Sequence, residues 1–193
     1  MIRAVCAFLL LGLSAAFAAE TAKPLTTILI VAREDLPDDN FRDAVVLVMN
    51  NLGAAPAGVI INRPTRIPVS HLFPDRDKLA HTDAKLYFGG PVNLTAVSYL
   101  FRADSPPGGA VEVADGIYFG TSRELLLQLL DRDKPMEGLR IFVGYSGWEP
   151  GQLENEIARG DWRLERASAG TIFDAKPQHP WPDSQGPEAG RRI

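Results

Sequence analysis

The chain has 193 residues, 20 basic and 24 acidic side chains and a formal net charge of −4. It carries no run of Lys or Arg, so its charge pattern gives no support to nucleic-acid binding. Its one cysteine, Cys6, excludes an internal disulfide, and the remainder of the chain offers no thiol for catalysis or metal binding.

The N-terminus reads as a secretory signal. Met1-Ile2-Arg3 is a short positive start, Ala4 to Leu13 is an apolar run, and Ala16-Phe17-Ala18 places a small-x-small cleavage site before Ala19. The alternative is an uncleaved anchor, for which the run falls short of the roughly 20 residues a bilayer needs. Residues 1–18 are assigned to the signal, 19–175 to one domain and 176–193 to a Pro/Gly-rich tail expected to be disordered. Cleavage removes one basic residue, Arg3, and no acidic one, moving the net charge from −4 to −5. The expected location is the bacterial periplasm.

Thr26 to Val31 reads as a strand, Leu36 to Asn40 as a turn, and Ala44 to Met49 and Gly58 to Ile61 as a hairpin of strands covered on both faces. Pro68 to Leu72 suits a short helix, and Asp75 to Asp83 a loop. Leu86 to Phe88 and Ala96 to Phe101 read as strands. Val111/Val113 and Ile117/Phe119 alternate around Ala114-Asp115-Gly116 as a second hairpin. Thr121-x-x-Glu124 has the form of a capping box with Thr121 as the cap, opening a helix with Leu126, Leu129 and Leu130 inward.

Leu139 to Val143 predicts a strand ending in a tight turn, Gly144-Tyr145-Ser146-Gly147-Trp148-Glu149-Pro150-Gly151. A helix over Pro150–Arg159 follows, stopped by Gly160, with Leu153 and Ile157 facing inward. Asp161 to Ala167 and Thr171 to Phe173 suit two last short strands. Many strands with two or three helices indicate a single α+β domain, without fixing the strand order.

Four blocks, in order, resemble the AlgH/YqgE family: Leu36-Pro37-Asp38-Asp39-Asn40-Phe41 with Val45 to Val48; Gly58 to Pro64; Tyr87 to Val92; and Gly144 to Glu156 followed by Trp162. The resemblance covers about Thr26 to Phe173. It implies a mixed, partly barrel-like β-sheet with flanking helices, and it brings no settled activity. The chain departs from the family pattern in three ways. Typical members lack a signal peptide. Met49-Asn50-Asn51 stands where they often carry Cys-Glu-His, and Phe101 where they often carry a histidine.

The candidate functional cluster is Asn62, Arg63, Gly89, Gly90, Gly147, Trp148, Gln152, Glu154 and Glu156. Arg63 follows an apolar strand, so it is expected partly buried, paired with Glu154, Glu156 or backbone carbonyls. Gln152 and Glu156, four apart, share one helix face. Trp148 is expected to plug the core. The glycine-opened helix start could attract an anion, but Glu149, Glu154 and Glu156 oppose one there. His71, His81 and His179 have no metal-ligand spacing, so no metal and no cofactor are expected. Ser146 lacks the Gly-x-Ser-x-Gly spacing of a nucleophile elbow.

Three functions follow. The first is a non-enzymatic module binding an unknown protein or small-molecule partner. The second is an enzyme with Arg63 and Glu154 or Glu156 as base in one cleft. The third is a transcriptional regulator, which export and negative charge oppose.

Overall fold

The computed structural model describes residues 27–50 and 52–173. The signal and tail assignments lie outside them. Ten strands form a curled, largely antiparallel half-barrel flanked by short helices, the mixed α+β domain expected. In chain order they are β1 (Thr27–Ala32), β2 (Val45–Met49), β3 (Ala57–Ile60), β4 (Pro64–Pro68), β5 (Lys85–Phe88), β6 (Val92–Arg102), β7 (Ala110–Ala114), β8 (Ile117–Gly120), β9 (Leu139–Gly147) and β10 (Trp162–Glu165). The helices are α1 (Asp77–Ala80), α2 (Arg123–Leu130), α3 (Gln152–Ala158) and α4 (Ala169–Phe173), with a 3-10 turn at Val69–His71. The main sheet runs β10-β1-β2-β3-β9-β6-β8-β7, and β4 and β5 attach beside β9.

Both expected hairpins form. Val46 pairs with Ile60 in β2–β3, and Val111 with Phe119 in β7–β8. Strand β9 holds the two halves together. Its first part lies between β5, parallel, and β6, antiparallel, while Ser146 and Gly147 pair with Gly58 and Ala57 of β3.

The period-2 alternation of side chains sorts the core. Ile30, Val46, Val48 and Ile60 point to one face, under Trp148, Leu153 and Trp162. Leu29, Leu47, Val59 and Ile61 point to the other, where they meet Leu100, Ile117 and Phe142 from the second half of the sheet. Burial on both faces is what the near-continuous apolar runs require. A third cluster packs Tyr99, Phe101 and Ile141 under Leu126, Leu129 and Leu130 of α2.

The structure corrects four local readings and adds one strand that the pattern left unassigned. Ser122, not Thr121, caps α2, its hydroxyl accepting the Leu125 amide at 3.3 Å. Asp75–Asp83 contains α1. Pro64–Pro68 is a strand, at the edge where proline's missing N–H is tolerated. Thr171–Phe173 ends a helix, because Ser168 and Thr171 exchange side-chain bonds to each other's amides and open α4. Finally, the tight turn is not at Gly144. Strand β9 continues to Gly147, and α3 begins only at Gln152 after the left-handed Gly151.

The extension of β9 depends on small residues. A Cβ on Gly89 would run into the carbonyl of Gly144, and one on Gly144, itself at φ +71, into the carbonyl of Gly90. Two backbones therefore touch where β9 passes the Gly-Gly segment. Buried Ser146 seals the crossing by donating to the Gly89 carbonyl at 3.0 Å.

A candidate ligand groove at two tryptophans

Three segments meet beside the outer cluster of the β1–β3 half: the 33–44 connection, the Trp148–Glu156 turn and helix, and the Arg159–Trp162 return. Backbone bonds hold them together. The Trp148 amide donates to Pro56 O at 3.2 Å, Arg33 N to Asp161 O at 3.0 Å, and Asp161 N to Glu156 O at 3.0 Å. Gly160 ends α3 as its left-handed stop.

Trp148 and Trp162 are each 5% exposed and sit edge to face with centroids 6.3 Å apart. Phe41 stacks on Trp148 at 6.1 Å and meets Trp162 edge-on at 5.5 Å. Trp148 is therefore the core plug expected, with two further rings that pattern reading did not assign to the site. Both indole N–H groups donate to Glu156 Oε2, each at 2.9 Å. Glu156 Oε1 accepts from Gln152 Nε2 at 2.8 Å, and Gln152 Oε1 accepts the Glu149 amide at 3.0 Å. The shared face expected of Gln152 and Glu156 is thus a chain of hydrogen bonds locking the carboxylate against the two rings.

A groove of about 380 Å³ opens over this network. Gly147, Trp148, Gln152 and Glu156 of the expected cluster line it, with Arg33, Asp38, Phe41, Arg159, Asp161 and Trp162.

Arg63 does not join Glu156. It is 7% exposed and donates to the carbonyls of Asn40 and Arg42. Of the partners expected for it, backbone carbonyls are the ones found here. Burial pulls its guanidinium down to about 10, opposed by the nearby carboxylates of Asp43 and Asp38. Asn62 works beside it, accepting the Val45 amide at 2.9 Å and donating to Asp43 O at 2.8 Å. The pair clamps the 40–45 segment that carries Phe41 into the groove, so both act on its wall from behind. Gly89 and Gly90 lie at the backbone crossing, and Glu154 is exposed on the outer side of α3. Neither glycine and no atom of Glu154 lines the groove.

Ser146 is fully buried on a carbonyl and has no access to a substrate. Among the described residues no three His, Cys, Asp or Glu side chains are arranged to hold a metal, and His71 and His81 are exposed. No described helix is long and apolar enough to cross a membrane.

Phe41 and Trp162 had one usable signal, as both stand in the four family-like blocks. Arg33 had none, since only the pairing of β1 with β10 brings it to the site, whereas Arg159 and Asp161 follow Glu156 directly at the end of α3.

The family model described as AlgH-like matches residues 28–186. A UPF0301 protein of Streptomyces avermitilis is 37% identical over 165 residues, covering 81% of this chain and 83% of that one. A UPF0301 protein of Chlorobaculum tepidum is 32% identical over 164 residues, covering 84% and 86%. Among solved structures, the AlgH protein of Pseudomonas aeruginosa superposes with a TM-score of 0.62 at 26% identity, covering 78% of this chain and 81% of that one. A Corynebacterium diphtheriae protein superposes with a TM-score of 0.62 at 23% identity, covering 83% and 90%. The second likeness speaks to the fold alone, and none of these names states a reaction.

Proposed function

The chain belongs to the AlgH-like family, and from that premise we propose an exported, non-enzymatic binding module whose ligand seat is the groove over Glu156. One observation carries this reading: the groove's glutamate is bound to neutral N–H donors from Trp148, Trp162 and Gln152, while Arg63 serves the loop behind it. A general base needs an acceptor oxygen within reach of a substrate proton. Glu156 already accepts three hydrogen bonds, two from the rings it holds in place and one from Gln152, so its role in the groove is to fix the wall and present a charge. The groove volume falls within the range of small-molecule sites. Export rests on the apolar run of Ala4–Leu13 and the Ala16-Phe17-Ala18 site.

A thermal-shift screen of the purified protein against amines, carboxylates, sugars, nucleotides and metals tests the reading. A ligand of the folded state raises the melting temperature by mass action. The expected hit loses its shift in Phe41→Ala or Gln152→Ala, both groove-lining, and is recovered chemically unchanged after incubation. A hit that is consumed favours the carboxylate enzyme instead. A shift that persists in both variants moves the site elsewhere. Export is checked by N-terminal sequencing: an envelope-fraction protein starting at Ala19 supports it, and a full-length cytoplasmic protein refutes it.

A further inference from the structure

We propose that the groove's ligand is a small organic amine, bound through a protonated ammonium against Glu156 and the Phe41 ring. This rests on the groove being a binding site and names the chemistry it selects.

The charge of Glu156 is unmatched. Its two oxygens accept three hydrogen bonds, from Trp148, Trp162 and Gln152, and every donor is neutral. The two arginines of the groove are engaged elsewhere: Arg33 pairs with Asp35 at 2.6 Å and Arg159 with Asp161 at 2.7 Å. A carboxylate offers about four acceptor positions. Three are used, so one remains on Oε1 for a donor from the groove. A cation carrying N–H supplies both the missing bond and the missing charge.

The wall has matching chemistry. Phe41 is half-buried and packs against both tryptophans, and an aromatic face attracts a cation through its quadrupole. Asp38 adds a further carboxylate to the lining. An anion would enter against these carboxylates with both arginines already paired. A quaternary ammonium would satisfy the charge but leave the Oε1 position unbonded, so a primary amine is favoured over it.

Heteronuclear NMR of the indole N–H signals of Trp148 and Trp162 reads the site directly, because both groups bond Glu156. The probes are putrescine, the neutral diol of the same length, and succinate. Putrescine is expected to shift both signals saturably, with no saturable shift from the diol or succinate. Glu156→Gln, which keeps an acceptor oxygen for the indoles but removes the charge, should weaken putrescine binding at least about tenfold. Should that variant fail to fold, salt dependence of the unmodified protein decides: affinity should fall about threefold or more between about 20 and about 200 mM salt. Saturation by the diol or succinate to the same degree overturns the amine assignment while leaving the groove a binding site. Absence of any putrescine shift up to about 10 mM, or a shift insensitive to salt, overturns it as well. The broader reading falls separately, when no compound moves either the indole signals or the melting temperature.

Discussion

Trp148 and Trp162, one directly after β9 and the other opening β10, point their indole N–H groups at a single oxygen, Oε2 of Glu156, each at 2.9 Å. The two strands are consecutive in the chain, separated by α3, but are not adjacent in the sheet. One carboxylate on α3 therefore ties together two edges of the outer core.

Removing that tie leaves two indole donors in a largely buried setting. An unsatisfied buried donor costs about 1–3 kcal/mol, and water reaching the half-buried site recovers part of it. Glu156→Ala is expected to lose about 2–4 kcal/mol of unfolding free energy, and Glu156→Gln distinctly less, because its amide oxygen still accepts. Urea denaturation followed by tryptophan fluorescence measures both. Equal losses in the two variants would show that the carboxylate's geometry contributes little.

Arg63 acts on the groove at one remove. Its guanidinium holds the Asn40 and Arg42 carbonyls, and Phe41 lies between them in sequence. Arg63→Ala is expected to cost about 2–4 kcal/mol, since two part-buried carbonyls lose a charged donor. Arg63→Lys should recover only part, because a point-charge ammonium does not reproduce a planar fork across two acceptors. Loosening of Phe41 should also change the emission of Trp148 and Trp162 in native buffer. A wild-type spectrum and stability in Arg63→Ala would detach Arg63 from the loop.

How much of this was legible in sequence depended on whether the deciding contact was local. The Gln152–Glu156 pair and the apolar stripe of α2 follow from helical spacing, and the β2–β3 hairpin from two apolar runs across a short turn. The site's third wall does not. Phe41 reaches it through a clamp from Asn62 and Arg63, whose bonds to the 40–45 segment span 17 to 23 residues of chain, and Trp162 through pairing of β10 with β1. The glycines of Gly144 to Gly147 suggest a turn, where the structure has strand. The alternation was nevertheless present, with Gly144 and Ser146 buried and Tyr145 and Gly147 exposed. Small residues are needed there because another backbone lies against them, which no local pattern reports. At α4 the Ser168–Thr171 exchange outweighs the β-branched bias of Thr171-Ile172.

That close approach makes Gly144 intolerant of any side chain. Gly144→Ala combines a positive φ with a methyl directed at the Gly90 carbonyl. It is expected to cost more than about 3 kcal/mol or to abolish folding, the sum of backbone strain and overpacking. Gly53→Ala, whose added methyl would meet nothing within 4 Å, is the control and should change stability by less than about 0.5 kcal/mol. Thermal melts of the two proteins compare them. Tolerance of alanine at Gly144 would mean that the strands separate there at little cost.

The second half of the sheet predicts a pH response. Tyr99, 1% exposed, donates its hydroxyl to Ser122 O at 2.9 Å, joining β6 to the residue that caps α2. Burial pushes its phenol up to about 12 from 10.0. The ionised form is thus disfavoured in the folded state. Below about pH 10 the phenol is protonated in both states and contributes no pH dependence. Between about pH 10 and 12 the unfolded chain releases the proton while the folded one keeps it, so the unfolded state binds fewer protons and stability falls as pH rises. The slope from this group approaches about 1.4 kcal/mol per pH unit. Tyr99→Phe should lose about 1 kcal/mol at neutral pH with its hydrogen bond, yet show a shallower alkaline decline. Urea midpoints at about pH 8, 10 and 11.5 for both proteins separate these effects. An alkaline limb of unchanged slope in Tyr99→Phe would assign the decline to other groups.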